Sequence, residues 1–307
     1  MVKHSGIAKV SNTMKSYFSD KKTIAVLVIP GLAIMLFAIA IPLVISLWLS
    51  LVKWTGFGRM TFIGLQNYSR LLKDGLFWRS LYNVLLLILV TVLVQNVYAL
   101  FIASLLTKIT HRISQVLRTI YFIPATLSLV VVTRLWVGIF HPSYGMLNKI
   151  IHSVGFPNFE LAWLGNIKTA IWAVIWIMIW QGFGWALLFF FGGLMTVPAE
   201  LEEAATVDGA NRLQVLHHVT LPSMLPVIQS IIIIDVISSL KQMEMIYLST
   251  EGGPGGTTQF PAVYLYLRAF KYTEYGYGNA ISVLFVILAV FLTIFIQRIF
   301  KKSLENF

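Results

Sequence analysis

Six long apolar runs, joined by short polar connections, set the pattern of the chain: residues 24–51, 81–106, 120–140, 169–191, 225–240 and 280–300. They are apolar on nearly every side rather than along one stripe, which suits helices surrounded by lipid or by other helices. A bilayer core needs roughly 20 mostly apolar residues per helix, and a lone segment satisfies its backbone there only as a helix. The pattern predicts an all-α integral membrane protein with six transmembrane helices. The fifth run is the shortest and carries polar residues. The connections 53–80 and 241–279, rich in Gly and aromatics, read as short amphipathic caps over the bundle.

Composition agrees. Of 307 residues, 58% are hydrophobic and 11% charged, against about 45–50% and about 25% in soluble domains. The chain has no cysteine, which excludes disulfides, zinc–thiolate sites and thiol nucleophiles. Its net charge of +11 sits on Lys and Arg at the flanks of the apolar runs. That placement favours anionic headgroups and topology control over nucleic acid. Lys21 and Lys22 precede an apolar run containing Ala38-Ile39-Ala40 that stays uncharged to Lys53. A signal-peptide core of about 7–15 residues would be shorter, so an uncleaved first helix is expected.

Lys3, Lys9, Lys15, Lys21 and Lys22 point to a cytoplasmic N-terminus, and six spans return Arg298, Lys301 and Lys302 to the same side. The charge bias is shallow: 12 Lys and Arg inside, 10 outside, and Arg134 within the third span. The expected organisation is a cytoplasmic tail over 1–22, a membrane domain over 23–302 containing a cytoplasmic loop at 198–222, and a second tail over 303–307.

The connection between the fourth and fifth runs is chemically distinctive. It reads Pro198-Ala199-Glu200-Leu201-Glu202-Glu203-Ala204-Ala205-Thr206-Val207-Asp208-Gly209-Ala210 and continues to Val219-Thr220-Leu221-Pro222. Acids behind Pro198 suit a first helical turn. Gly209 and Ala210 allow a sharp turn or a close approach by another surface, and Leu221-Pro222 is expected to end the segment.

Glu203-Ala204-Ala205, then Gly209, Val219 and Leu221-Pro222 at their spacing, resemble the coupling motif of ATP-binding-cassette importer permeases. Val219 stands for the usual isoleucine, and Asp208-Gly209-Ala210 is similar to the carbohydrate-uptake subset. Phe62-Ile63-Gly64-Leu65-Gln66-Asn67-Tyr68 resembles the first outer loop of sugar permeases. Trp136, Pro142, Gly145, Leu147 and Asn148 resemble their central third helix and its end. Leu248-Ser249-Thr250-Glu251-Gly252-Gly253-Pro254 is similar to the Thr-x-Gly-Gly-Pro loop of the maltose-type "F" half, with Glu251 departing from the common Gly.

The resemblance implies the architecture of a type I importer transmembrane subunit, multi-pass in the cell membrane with both termini cytoplasmic. It implies a second homologous permease, two ATP-binding subunits and an extracellular solute-binding protein as partners. It also implies that Glu203, Ala204, Ala205, Asp208, Gly209, Ala210, Leu221 and Pro222 couple to the ATPases. ATP and Mg would be held by those subunits. This chain is expected to bind no cofactor or metal and to catalyse nothing: Gly252-Gly253-Pro254-Gly255-Gly256 lacks the Gly-Lys-Ser/Thr ending of a phosphate loop.

Polar residues within the apolar runs are candidate walls of a substrate path, because ionisable groups there must face protein or water. Asp235, Ser238, Ser239 and Gln242 follow helical spacing and predict one polar face. Interhelical hydrogen bonding explains the same residues. Trp172, Trp176 and Trp180, with Gln181, would stack on sugar rings or form an interfacial belt. Gln95 and Asn96 are further candidates, or amides that stitch the bundle. The expected cargo is a sugar or oligosaccharide, with glycerol phosphate or another polyol as the alternative. An ion-coupled secondary transporter would call for inverted repeats and several mid-membrane carboxylates, and Asp235 is the single acid in an apolar run.

Overall fold

A computed structural model describes residues 21–304, with side chains placed for 24–300. Helix α1 runs through Lys21–Met35, a π-turn at Leu36–Ala40 and Ile41–Leu49. A two-residue hairpin, β1 (Val52–Lys53) paired antiparallel with β2 (Thr61–Phe62), and α2 (Gln66–Leu72) follow. Next come α3 (Gly75–Leu106), α4 (His111–Thr126), α5 (Leu129–Ile139), α6 (Met146–Ser153) and α7 (Ala170–Leu194). The chain closes with α8 (Ala199–Val207), α9 (Arg212–Ser223), α10 (Leu225–Lys241), α11 (Glu244–Thr250), α12 (Pro261–Tyr266, extended by a π-turn to Lys271) and α13 (Tyr275–Leu304).

Four helices are long and apolar enough to cross a bilayer unbroken: α1, α3, α7 and α13. The other two expected spans are bent pairs, α4–α5 at 94° and α9–α10 at 67°. The third apolar run is therefore not one straight helix. Pro124 removes a backbone donor near the end of α4, and Leu127 and Ser128 take extended conformations. The break is satisfied within the protein. Leu127 O accepts from Gln181 Nε2 at 3.4 Å, and Ser128 Oγ accepts from Val131 N. Gly184 of α7 passes under α4 so closely that a Cβ would lie 2.5 Å from Tyr121 O.

The second break falls at Met224, beyond the end expected at Leu221-Pro222. A π-turn over Leu216–Thr220 sends Leu221 N–H to Leu216 O, and the helix runs on through Pro222 to Ser223.

Among the described residues, two buried clusters pack along α7, and a third joins α2 and α12 to the first turns of α3 and α13. Ala99 and Ala103 of α3 lie fully buried beside Leu187 and Phe190, where small residues let helices approach without a hydrophobic driving force. Towards the opposite end, Val84, Val132, Val174, Ile177, Val236 and Ile246 join α3, α5, α7, α10 and α11. The outward faces are apolar: Val26 exposes 72% and Phe37 77% of its surface. That is tolerable in lipid or against another chain, and not in water.

The caps are tied by polar side chains. Asp74 is the N-cap of α3, accepting from the backbone of Leu76 and Phe77, and it also accepts from the hydroxyls of Tyr264 and Tyr277. Burial pushes the Asp74 carboxyl up, but these donors outweigh it and hold the group below its ordinary value. Burial, then the bond to Asp74, pushes the Tyr264 phenol up to about 12. Arg268 donates to Tyr264 at 2.9 Å and pairs with Glu274 at 3.2 Å, which in turn takes Arg70 at 2.8 Å.

Asn83 of α3 donates to Thr257 O at 2.9 Å and Gln259 O at 2.8 Å, fastening the glycine-rich loop over the helix. Replacing Asn83 by Ala should strand two buried carbonyls, at about 1–3 kcal/mol each. Thermal unfolding of the purified protein in detergent is the check: the Ala variant should melt clearly below wild type. An unchanged midpoint would mean that the loop is held by other contacts.

Candidate coupling site and translocation path

The connection between α7 and α10 folds as a hydrogen-bonded elbow. Helix α8 starts behind Pro198, which holds an extended conformation as its N-cap, and Glu200 and Glu202 complement the dipole in its first turn. Its end is a Schellman closure: Gly209 N–H bonds Thr206 O at 3.1 Å and Ala210 N–H bonds Ala205 O at 3.0 Å. Gly209 sits at φ +88°, a conformation that a side chain strains. A Cβ there would meet nothing in this chain, so the constraint on residue 209 begins with its own backbone. Two residues on, Asn211 caps α9 through a reciprocal capping box with Gln214. Asn-x-x-Gln is the sequence signal for this second start, and it lies outside the Glu-Ala-Ala…Gly spacing.

The elbow presents more than acids. Val207 is 87% exposed and Leu213 76%, while Glu200, Glu203, Ala204 and Asp208 also face outward. Ala205 and Ala210 line a shallow hollow of about 300 Å³ together with Asp208, Gly209, Gln214 and His218. Leu221 and Pro222 sit half-buried in the last turn of α9. Glu202 turns inward instead, its Oε1 accepting from the Thr220 hydroxyl at 2.7 Å. That bond ties α8 to the helix leading into α10. Two large apolar side chains on a polar surface, with acids around them, form a surface fit for a protein partner that offers an apolar notch and basic residues.

The polar residues of the bundle separate on inspection. Asp235 Oδ2 accepts from Asn96 Nδ2 at 2.7 Å, a bond that stitches α10 to α3. Ser239 is buried and Ser238 exposed. Gln242 is the C-cap of α10: its φ of −65° and its N–H bond to Ser239 O at 3.3 Å keep it one turn beyond Ser238 and Ser239, and the chain leaves the helix after it, at ψ 114°. Gln95 is buried against Gly182, where a Cβ would lie 3.4 Å from its amide nitrogen. Gln181 is committed to the break in the third span.

Trp176 and Trp180 are not an isolated stripe, because Trp136 of α5 meets both edge-on at 6.1 and 5.4 Å. Trp172 and Trp176 are both exposed, at 54% and 52%, and Trp180 is half-buried. The contact with Trp136 joins α5 to α7, and spacing along one helix could not show it. Gly252, Gly253 and Pro254 lie in the loop fastened by Asn83, with Thr258 Oγ1 donating to Gly253 O at 2.7 Å.

Residues 96–306 match the family described as binding-protein-dependent transport system inner membrane component. The match holds the elbow and the last four spans. The chain belongs to this family. It is an importer permease, a membrane component rather than an enzyme. It is 31% identical to the trehalose/maltose transport system permease protein MalF of Thermococcus litoralis, over 92% of this chain and 95% of that one. The probable permease YurN of Bacillus subtilis is 31% identical over 91% of this chain and 96% of its own length. The multiple sugar-binding transport system permease protein MsmF of Streptococcus mutans is 33% identical over 78% and 82%. In fold, the permease resembles a chain of a bacterial transporter that imports the acidic polysaccharide alginate, at a TM-score of 0.79 and 21% identity, covering 96% of this chain and 99% of that one.

The two readings of the polar residues predict different variants. Asn96→Ala should leave the Asp235 carboxylate without its donor and destabilise the permease by about 1–3 kcal/mol. Gln242→Ala lies outside that stitch and should leave the melting midpoint near wild type. Thermal unfolding of both in detergent checks this. A stable Asn96 variant would free Asp235 from its structural role.

Proposed function

We propose that this permease forms half of the translocation path of an ATP-driven importer for a sugar or oligosaccharide. The elbow over 198–222 carries the reading. It is held rigid by its own caps and by the Glu202–Thr220 bond, yet it exposes Val207, Leu213, Glu203 and Asp208. A surface built so firmly and left apolar fits the notch of an ATP-binding subunit. Closure of two such subunits on ATP would drive this elbow towards that of a sister permease and open the path outward. A solute-binding protein would deliver the cargo at the opposite face, where the caps lie. Relatives whose names include trehalose/maltose and multiple sugar-binding transport support a carbohydrate cargo. Asp235, Ser238, Ser239, Gln242, Trp176 and Trp180 are the side chains proposed to line the path, and Trp136 joins them. The membrane domain would span 23–302, with the tails 1–22 and 303–307 in the cytoplasm. ATP and Mg would bind on the partner subunits.

Reconstitution with the sister permease, the ATP-binding subunits and the binding protein tests this. Labelled oligosaccharide should accumulate only with ATP on the elbow side and binding protein on the other. Val207→Asp should cut that uptake and the cargo-stimulated ATP hydrolysis about tenfold or more, roughly 1.4 kcal/mol. An exposed substitution of this kind should shift permease stability by no more than about 0.5 kcal/mol. Wild-type uptake in that variant would remove the elbow from the coupling role.

Orientation has its own check in the native absence of cysteine. A cysteine at Phe57, 88% exposed in the first cap, should react with an impermeant maleimide in intact cells. One at the exposed Ala204 should react only after lysis. The reverse pattern would invert the topology.

A further inference from the structure

Helix α5 carries Arg134 to the rim of an outer hollow of about 540 Å³, walled otherwise by Tyr247, Leu248, Ser249, Thr250 and Glu251. The hollow exists because the third span breaks: the 94° bend lays α5 against α11 instead of letting it continue straight. Among the described residues, no carboxylate lies within ion-pair distance of Arg134, and its guanidinium makes no hydrogen bond. Glu251, the acid of the same hollow, is taken by Lys271 at 3.0 Å. The two charged residues lining the hollow are thus Arg134 and Glu251; Glu251 is paired with Lys271 from outside it, and the Arg134 guanidinium is left without a partner among the described residues. Ser249 and Thr250 supply hydroxyls beside it, and the Tyr247 ring is held edge-on by Tyr266. Arg134 is exposed at this rim, beside Leu135 and Trp136, so its charge is open to a ligand.

We propose that this hollow is an entry subsite for an acidic substituent of the cargo: a carboxylate, sulfonate or phosphate on a saccharide. A planar guanidinium takes such a group by two parallel hydrogen bonds, which fixes its orientation as well as its charge. The aromatic and hydroxyl walls then meet the sugar ring. Glu251, clamped by Lys271, shapes the rim and leaves the cation of Arg134 free. This inference rests on the carbohydrate reading given above.

The test uses the full complex in neutral detergent and follows tryptophan fluorescence, to which Trp136 contributes from the same helix. The probes are neutral oligosaccharides, each matched with its uronate-bearing counterpart. In wild type, the uronate form of a bound pair should bind about tenfold more tightly than the neutral one. Arg134→Gln should abolish that preference while neutral binding persists, and Arg134→Lys should restore part of it. A preference that survives in the Gln variant, or is absent from wild type, overturns the proposal and leaves the carbohydrate reading standing. Binding of no pair by wild type would sink both. Loss of the sister permease from the purified Gln variant, with the preference intact, would assign Arg134 to a subunit ion pair. Displacement of the uronate probe by phosphatidylglycerol at equal concentration would assign it to lipid. Either of these outcomes overturns the proposal.

Discussion

A backbone group left unpaired in hydrocarbon costs several kcal/mol, and the breaks in the spans of this permease are arranged around that cost. Where α4 gives way to α5, an amide from α7 reaches the freed carbonyl and a serine caps the new helix. Where α9 gives way to α10, a π-turn carries the helix past Pro222 before it bends. The glycine-rich cap is likewise fastened by a side-chain amide buried in α3. Without these partners the breaks would be untenable. With them, the breaks create what straight helices could not: an outer hollow beside α5 and a bent lever running from the elbow into α10.

The lever is continuous. Glu202 bonds Thr220, α9 leads into α10, and α10 is stitched to α3 through Asp235 and Asn96. Under the proposed coupling, a push on Val207 or Leu213 would pass to the residues proposed to line the path through these hydrogen bonds and packed helices. The stitch has two possible uses, because a carboxylate that holds two helices together can also present its second oxygen to cargo once they part. The exposed Ser238 and the free Gln242 lie on either side of the buried Ser239, so the row is partly structural and partly available.

Much of this was legible in the sequence. Apolar runs gave the number and approximate limits of the spans, because solvent sets that pattern locally. The elbow was legible for a similar reason: its acids, Gly209 and Leu221-Pro222 encode turns and caps within a dozen residues. What escaped was non-local. The run over 120–140 reads as one span although it contains Pro124, and the side chain and glycine that accommodate the bend, Gln181 and Gly184, lie more than 50 residues away. The Asp235–Asn96 bond spans 139 residues and the Asp74 clasp 190 or more, so spacing along one helix could reveal neither.

The central claim is that the elbow moves with the ATP-binding subunits. Spin labels at Ala204 and at the matching position of the sister permease, in the reconstituted complex, measure this directly by pulsed electron resonance. The account predicts a distance that shortens when ATP and loaded binding protein are present, and lengthens again after hydrolysis. A distance distribution unchanged by ATP, in a complex that still hydrolyses it, would contradict the account.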